Sequence, residues 1–441
     1  MTCFFSPDLI FFPHSNEGYC LVFLRESASQ LIYSILQKLA MPEKKTEGKA
    51  AGISRNIVAL GFVSLFTDVS SEMIYPLLPI FLTSVLGMGT TFVGLVEGVA
   101  ESTASILKLF SGWFSDRLKK RKALVVFGYT LSTLIRPLVA AASAGWHVLL
   151  IRFFDRVGKG IRTSPRDALI ADSSHEGGKG KAFGFQRSMD HTGAVIGPLI
   201  TFLLLTFVTQ QYRTIFWLAF FPGIIALIIL LRGVKEKKPS LAVPSSPDLR
   251  FTFRPFSNQF RFFLLIVTLF SLGNSSDAFL VLKAKDTGIP VSFIPLLWML
   301  LHLTKSLSAF PGGMLSDRLG RKAVIISGWL LYSAVYLVFA RADSPGTIWI
   351  LFAVYGFFYG LTEGGERALV ADLVQPRLRG TAYGLYNFAI GISTLPASLL
   401  MGFIWEKLSP KAAFEFGASL ALLSALLLWA VLKKEKRAGY G

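Results

Sequence analysis

Runs of roughly 20 mostly apolar residues recur along the 441-residue chain, separated by short polar segments. A helix rises about 1.5 Å per residue, so about 20 apolar residues cross the hydrocarbon core of a bilayer. The pattern predicts spans near 56–86, 90–115, 123–143, 146–171, 181–208, 213–232, 261–284, 290–315, 323–341, 346–371, 380–404 and 411–432. No strand-like alternation competes with them, which argues against a membrane barrel. The expected fold is an all-α membrane protein of twelve transmembrane helices.

Two stretches depart from this rhythm. Residues 233–260 carry Pro239, Pro244, Pro247 and Pro255 among several Lys and Arg, and read as a linker between two six-span bundles, 56–232 and 261–433. Residues 1–55 are only mildly apolar over 19–40, where Arg25, Glu26, Gln30 and Gln37 interrupt the run. That segment reads as an extension. Met41, followed by Pro-Glu-Lys-Lys, is a plausible alternative start. A signal peptide is not evident.

Composition agrees with the spans. Mean hydropathy is +0.54 and only 16% of residues are charged, against about 25% in soluble domains. The formal net charge of +18 would suggest nucleic acid in a soluble protein. Here the basic residues sit in short loops between apolar runs, so no nucleic-acid partner is implied. They cluster in alternate loops: Arg117 to Lys122, Lys179 and Lys181, the linker, Arg318 to Lys322, Arg377 and Arg379, and the tail 434–441 with the residues just before it. The segment 87–91 has none. By the positive-inside rule both termini are cytoplasmic, and the expected location is the inner membrane. The two cysteines, Cys3 and Cys20, support neither a disulfide framework nor a metal site.

The second half repeats the first. SDRLKKRKALVVFGY (115–129) matches SDRLGRKAVIISGW (316–329), and RDALIADSSHEGGKGKAFGF (166–185) matches ERALVADLVQPRLRGTAYGL (366–385). Ala168, Asp172, Gly180 and Gly184 recur as Ala368, Asp372, Gly380 and Gly384. Ser70-Ser71-Glu72 has a weaker echo in Ser275-Ser276-Asp277. Six spans per copy is an even number, so the copies share one orientation and are related by an axis along the membrane normal. A cavity between two such bundles can open alternately to each side.

Three motifs resemble the major facilitator superfamily. GGMLSDRLGRK (312–322) is similar to the family's signature loop after helix 2, with Gly313, Asp317, Arg318 and Arg321 at its key positions. The first copy keeps Gly112, Asp116 and Arg117 but has Lys119 where the family usually has Gly. The resemblance implies a latch on the outward-facing state, with Asp172 and Asp372 as its partner carboxylates. Gly184, Gly193, Gly197 and Pro198 resemble the spaced glycines of helix 5 in proton-coupled exporters, without the final Gly-Gly. Arg156-Val157-Gly158-Lys159-Gly160 resembles the family's Arg-x-x-Gln-Gly, with Lys159 replacing Gln. The resemblance covers about 56–433 and implies that helices 1, 4, 7 and 10 line the central cavity.

Charges inside the spans are costly in lipid and therefore mark function. The candidates are Asp68, Glu72, Glu97, Glu101, Arg136, Arg152, Arg156, Asp190, Asp277, His302, Glu363 and Glu366. Asp68 and Glu72 share one face of helix 1, as Glu97 and Glu101 do on helix 2. Pro76 and Pro79 are expected to bend or break helix 1. We expect Asp68 and Glu72 to pair with an Arg of helix 4, protonation of one carboxylate releasing the pair. The intramembrane Arg residues could instead hold an anionic group. His191 and His302 read more readily as structural hydrogen-bonding residues than as proton carriers.

The expected function is secondary active transport of a small organic solute by alternating access, as a proton-coupled exporter acting as a monomer. An uptake symporter of the same fold is the alternative. A membrane enzyme or receptor is disfavoured, since no Gly-x-Ser-x-Gly, His-Glu-x-x-His or phosphate-binding Gly-Lys-Ser/Thr motif occurs. No cofactor, metal or catalytic residue is implied.

Overall fold

A computed structural model describes residues 54–118, 120–174, 179–236, 256–375 and 378–431. Twelve long helical segments run through them. In the first half they are α1 (Arg55–Val85), α2 (Thr90–Leu118), α3 (Arg121–Ala141), α4 (Gly145–Ser173), α5 (Lys179–Phe207) and α6 (Tyr212–Gly233). In the second half they are α7 (Asn258–Asp286), α8 (Val291–Leu319), α9 (Arg321–Phe339), α10 (Pro345–Asp372), α11 (Arg379–Lys407) and α12 (Pro410–Val431). There are no strands among the described residues. Ten of the twelve are apolar enough by composition to cross a membrane; α2 and α4 fall short because of their charges. Most of the linker and all of the tail lie outside the described residues, as does the extension up to residue 53.

Local chemistry shapes the helices. Pro76 and Pro79 withdraw two amide donors from α1. The chain tightens into a 3-10 turn at Tyr75–Leu77 and widens into a π turn at Phe81–Val85, and the helical run continues unbroken to Val85. α7 breaks outright, which the apolar pattern did not indicate. Its two helical pieces are Asn258–Gly273 and Ala278–Asp286, with Asn274, Ser275, Ser276 and Asp277 between them. The break frees polar backbone groups inside the bundle, and neighbours satisfy them: Tyr332 donates to the Gly273 carbonyl at 3.0 Å, and Ser276 Oγ accepts from the Ala278 amide at 3.2 Å. Gly320 has φ 93°, a left-handed turn between α8 and α9 that suits only glycine well.

The halves meet along two seams, α2 on α11 and α5 on α8, with the far end of α1 against α7 and α8. The α2–α11 seam is built from small residues. A side chain at Gly94 would meet the Ser398 backbone, and one at Gly98 the Leu395 backbone. Such stripes let helices approach closely where no hydrophobic effect drives them together. Ser102 Oγ donates to the Gly391 carbonyl at 2.6 Å, Thr90 Oγ1 to the Gly402 carbonyl at 3.0 Å, and the Thr91 amide to Glu406 at 3.0 Å. The Thr90 and Thr91 ties lie at the end next to the base-free segment 87–91, whereas the Ser102 tie lies near the middle of both helices. Towards the basic loops, interface residues of both halves are exposed: Arg187 54%, Glu363 42% and Arg367 55%. The interface therefore opens as a cleft on the basic side.

Candidate functional site

The site grows from α4, which carries more charge than any other span. Arg152, Asp155, Arg156 and Arg162 are all buried. Arg152 donates to both oxygens of Glu97 on α2, at 3.0 and 2.9 Å, and lies 3.7 Å from Asp155. Asp155 accepts from Arg136 of α3 at 3.0 Å. Arg136 also donates to the Thr67 carbonyl at 3.2 Å and to Ser70 Oγ at 3.1 Å on α1. Arg156 pairs with Glu101 of α2 at 3.0 Å. Arg162 donates to Ser132 Oγ at 2.7 Å and stacks 4.4 Å over the Tyr129 ring. Charges taken out of water persist only when paired and hydrogen-bonded. Here the arginines find their partners within the first half, which ties α1, α2, α3 and α4 together.

The expected pairing of Asp68 and Glu72 with an arginine of α4 is not what the structure shows. Arg152 and Arg156 are taken by Glu97, Glu101 and Asp155, Arg162 by Ser132 and the Tyr129 ring, and Arg166 by Asp167. Glu72 instead reaches the other half, where its Oε2 accepts from Trp298 Nε1 of α8 at 2.8 Å and stands 3.9 Å from His302 Nε2. Tyr75, one turn on, donates to Glu97 at 3.0 Å, lies 3.4 Å from Ser276 Oγ and packs on the Trp298 ring at 5.0 Å. The Asp68 carboxylate makes no hydrogen bond or ion pair among the described residues, while its backbone carbonyl accepts from Ser71 Oγ at 3.2 Å. The charged groups around it are Asp190, Glu72, Lys159 and Arg162. Asp190 accepts from Gln186 at 2.6 Å and lies 3.8 Å from Arg187.

The second half treats its acids differently. Asp277, beside the break in α7, accepts from the hydroxyls of Tyr355 at 2.9 Å and Tyr359 at 2.8 Å on α10. Glu366 accepts from Trp329 Nε1 at 3.0 Å and Tyr386 at 2.5 Å. Glu363 lies 3.5 Å from Arg187 of α5, across the cleft, and 3.7 Å from Arg367.

The helix 5 glycines divide. Any side chain at Gly193 would strike Leu65 and Asp68, and one at Gly197 would strike Val69 and Glu72. α5 therefore presses on α1 at the register of its two acids. Pro198 lies inside α5, one residue past that contact. Gly184 faces open space. In the signature loops, Arg121 pairs with Asp172, and Arg321 pairs with Asp317 and, at 3.4 Å, with Asp372. Arg318 is exposed and unpaired among the described residues, so Arg321 is the cation that engages both acids. The side chains of Asp116 and Arg117 lie outside the described residues. Gly112 packs on Ser164, whereas Gly313 faces open space and its neighbour Gly312 makes the close approach, to Gly360.

Sequence reasoning missed Trp298, Tyr75, the tyrosine pair on Asp277 and the Gly94/Gly98 seam. The Gly-x-x-x-Gly spacing was visible in principle. The aromatic partners were not, because they depend on how separate helices align.

Two six-helix bundles with charged interiors, meeting at a cleft that opens to one side, define a polytopic membrane transporter. The family model of the Major Facilitator Superfamily matches residues 60–282 and 262–440. The chain is 38% identical over 386 residues to the uncharacterized MFS-type transporter MJ1317 of Methanocaldococcus jannaschii, covering 85% of this chain and 94% of that protein. It is 23% identical over 338 residues to the multidrug resistance protein MdtH of Photorhabdus laumondii, covering 75% and 82%. Among solved structures it is similar to the nucleoside transporter NupG, with a TM-score of 0.71, 14% identity, and 86% and 99% covered. It is also similar to a bacterial homolog of the human lysosomal transporter Spinster in an inward-facing, unoccupied conformation, with a TM-score of 0.65, 15% identity, and 87% and 96% covered. This chain belongs to the Major Facilitator Superfamily.

Proposed function

We propose that this transporter exports a small organic solute in exchange for protons, with Glu72 as the coupling carboxylate. One observation carries the reading: Glu72 is the acid of the first half that hydrogen-bonds directly to the second half, through Trp298 at 2.8 Å. A proton on Glu72 removes its charge and rebalances its bond to Trp298, so proton binding acts on the contact between the halves. Asp190, Lys159, Arg156, Arg162, Arg136 and His302 are the charged or titratable groups around Glu72 and its neighbour Asp68. Membrane interiors hold such groups at ion and proton pathways. The export direction rests on α5, whose Gly193, Gly197 and Pro198 seat it against the Asp68–Glu72 register, and on the likeness to a multidrug resistance protein.

In this reading residues 56–232 and 261–433 rock as two bodies joined by the linker 233–260. Both termini lie in the cytoplasm, the cleft faces the cytoplasm, and the protein works as a monomer in the inner membrane. Pairing of Arg121 with Asp172 and of Arg321 with Asp372 fastens loop to helix end within each half, so that each half moves as a unit.

The test is flux in proteoliposomes across a panel of solutes with an imposed pH gradient. A solute whose outward movement drives protons inward supports the reading. Co-directional movement of solute and protons identifies an uptake symporter. Solute flux indifferent to the gradient contradicts coupling.

A further inference from the structure

The buried arginines of the first half are engaged, but three ammonium groups near the interface are not. Lys108 of α2 and Lys159 of α4 have no ion pair or hydrogen bond from Nζ among the described residues, and Lys305 of α8 has only an aromatic face. Lys159 lies within electrostatic reach of Arg156, Glu101, Lys108 and Asp68. Glu101 is already bound to Arg156. Lys305 Nζ sits 3.9 Å over the ring of Tyr359. The acids in its reach are Asp277 and Glu363, which hold two tyrosine hydroxyls and two arginines respectively.

The repeat makes the arrangement specific. Tyr359 is the counterpart of Lys159, 200 residues on. One ammonium therefore stands at this helix position in the first half, and a second is laid on the equivalent position in the other. Each has three donors and no acceptor of its own. Both lysines are only half-buried, and an anion that supplies an acceptor gains a charge-assisted bond to each ammonium.

We propose that Lys159 and Lys305 are the anion-holding groups of the substrate site, and that the exported solute is a small organic acid bearing a carboxylate or phosphate. Trp298, buried against Tyr75 and His302, shares a face of α8 with His302 and Lys305 at i, i+4 and i+7 and backs the site on that side. An amine would instead meet two ammoniums. The inference rests on taking the interface between the halves as the solute path.

The test uses the full chain purified in detergent, with thermal unfolding followed at fixed pH and matched ionic strength and without any gradient. The probes are benzoate, succinate, phenyl phosphate and inorganic phosphate, set against benzylamine and tetraethylammonium. At least one anion should stabilise the protein beyond a chloride control. Lys159→Gln and Lys305→Gln should each weaken its apparent affinity about tenfold or more, the scale of one hydrogen bond to a charged group. Lys159→Arg should largely restore it, which excludes misfolding as the cause. Stabilisation by the amines alone, by none of the probes, or by anions equally in wild type and both Gln variants overturns the proposal. Anion binding as expected, with flux indifferent to a pH gradient, would fault the coupling reading and leave this one standing.

Discussion

α4 and α10 are one element used twice, and their interiors are chemically opposite. Arg152, Asp155, Arg156 and Lys159 of the first half have Phe352, Tyr355, Gly356 and Tyr359 as counterparts 200 residues on. The neighbours follow suit. Glu97 corresponds to Trp298, Glu101 to His302, and Arg136 to Tyr336. Where the first half has the Arg136–Asp155 ion pair at 3.0 Å, the second has Tyr336 and Tyr355 rings 6.0 Å apart. Backbone packing is nonetheless shared, since Gly160 and Gly360 both sit at close helix approaches. The lesson is that small residues set the scaffold, and the interior is then free to differ. The first half is braced by ion pairs that point inward. The second half offers neutral donors to isolated acids, and its Trp298 reaches across to the first.

The largest expected difference is in stability. Asp155→Ala strands Arg136 and weakens the hold on Arg152, and removing one member of a buried pair costs about 3–5 kcal/mol. Its counterpart change, Tyr355→Phe, removes one hydrogen bond to Asp277 and costs about 1 kcal/mol. Equal losses in detergent unfolding would erase the contrast between the halves. The next effect sharpens it. Glu97→Leu alone should be about as damaging as Asp155→Ala, yet adding Arg152→Leu should recover most of the loss, because an apolar pair of similar volume avoids the stranded charge.

A smaller effect concerns the seam between the halves. Gly94→Val collides with the Ser398 backbone and costs about 1–3 kcal/mol in the closed arrangement. Spin labels on Met88→Cys and Leu408→Cys, at the tied end, should move apart in this variant; an unchanged distance would mean that the seam does not hold that end shut. The smallest effect belongs to the exposed bridge across the cleft. Arg187→Gln should change stability by less than about 1 kcal/mol, as solvated ion pairs contribute little.

Much of this architecture was legible in the chain. The twelve spans, the doubled loop motifs and the irregular helix at Pro76 and Pro79 all follow from local pattern. α2 and α4 were legible even though charge lowers their apolarity, because the repeat supplied their counterparts α8 and α10. The break in α7 escaped because Gly273-Asn274-Ser275-Ser276 is short and lies within an apolar run. The partners of the acids escaped for a deeper reason. Glu72 could be assigned a helix face, but whether it meets an α4 arginine or Trp298 depends on the register between helices far apart in sequence. Gly313 and Gly312 illustrate the same limit at one residue: the motif marks the first, and the packing uses the second.

The central claim is that Glu72 couples protons to the contact between the halves. The most direct measurement is paired transport in proteoliposomes containing Glu72→Gln, which keeps a carbonyl acceptor for Trp298 but cannot ionise. Solute counterflow without a gradient should persist, while accumulation driven by a pH gradient and solute-dependent proton movement should be lost. Gradient-driven transport at the wild-type rate in this variant would contradict the account.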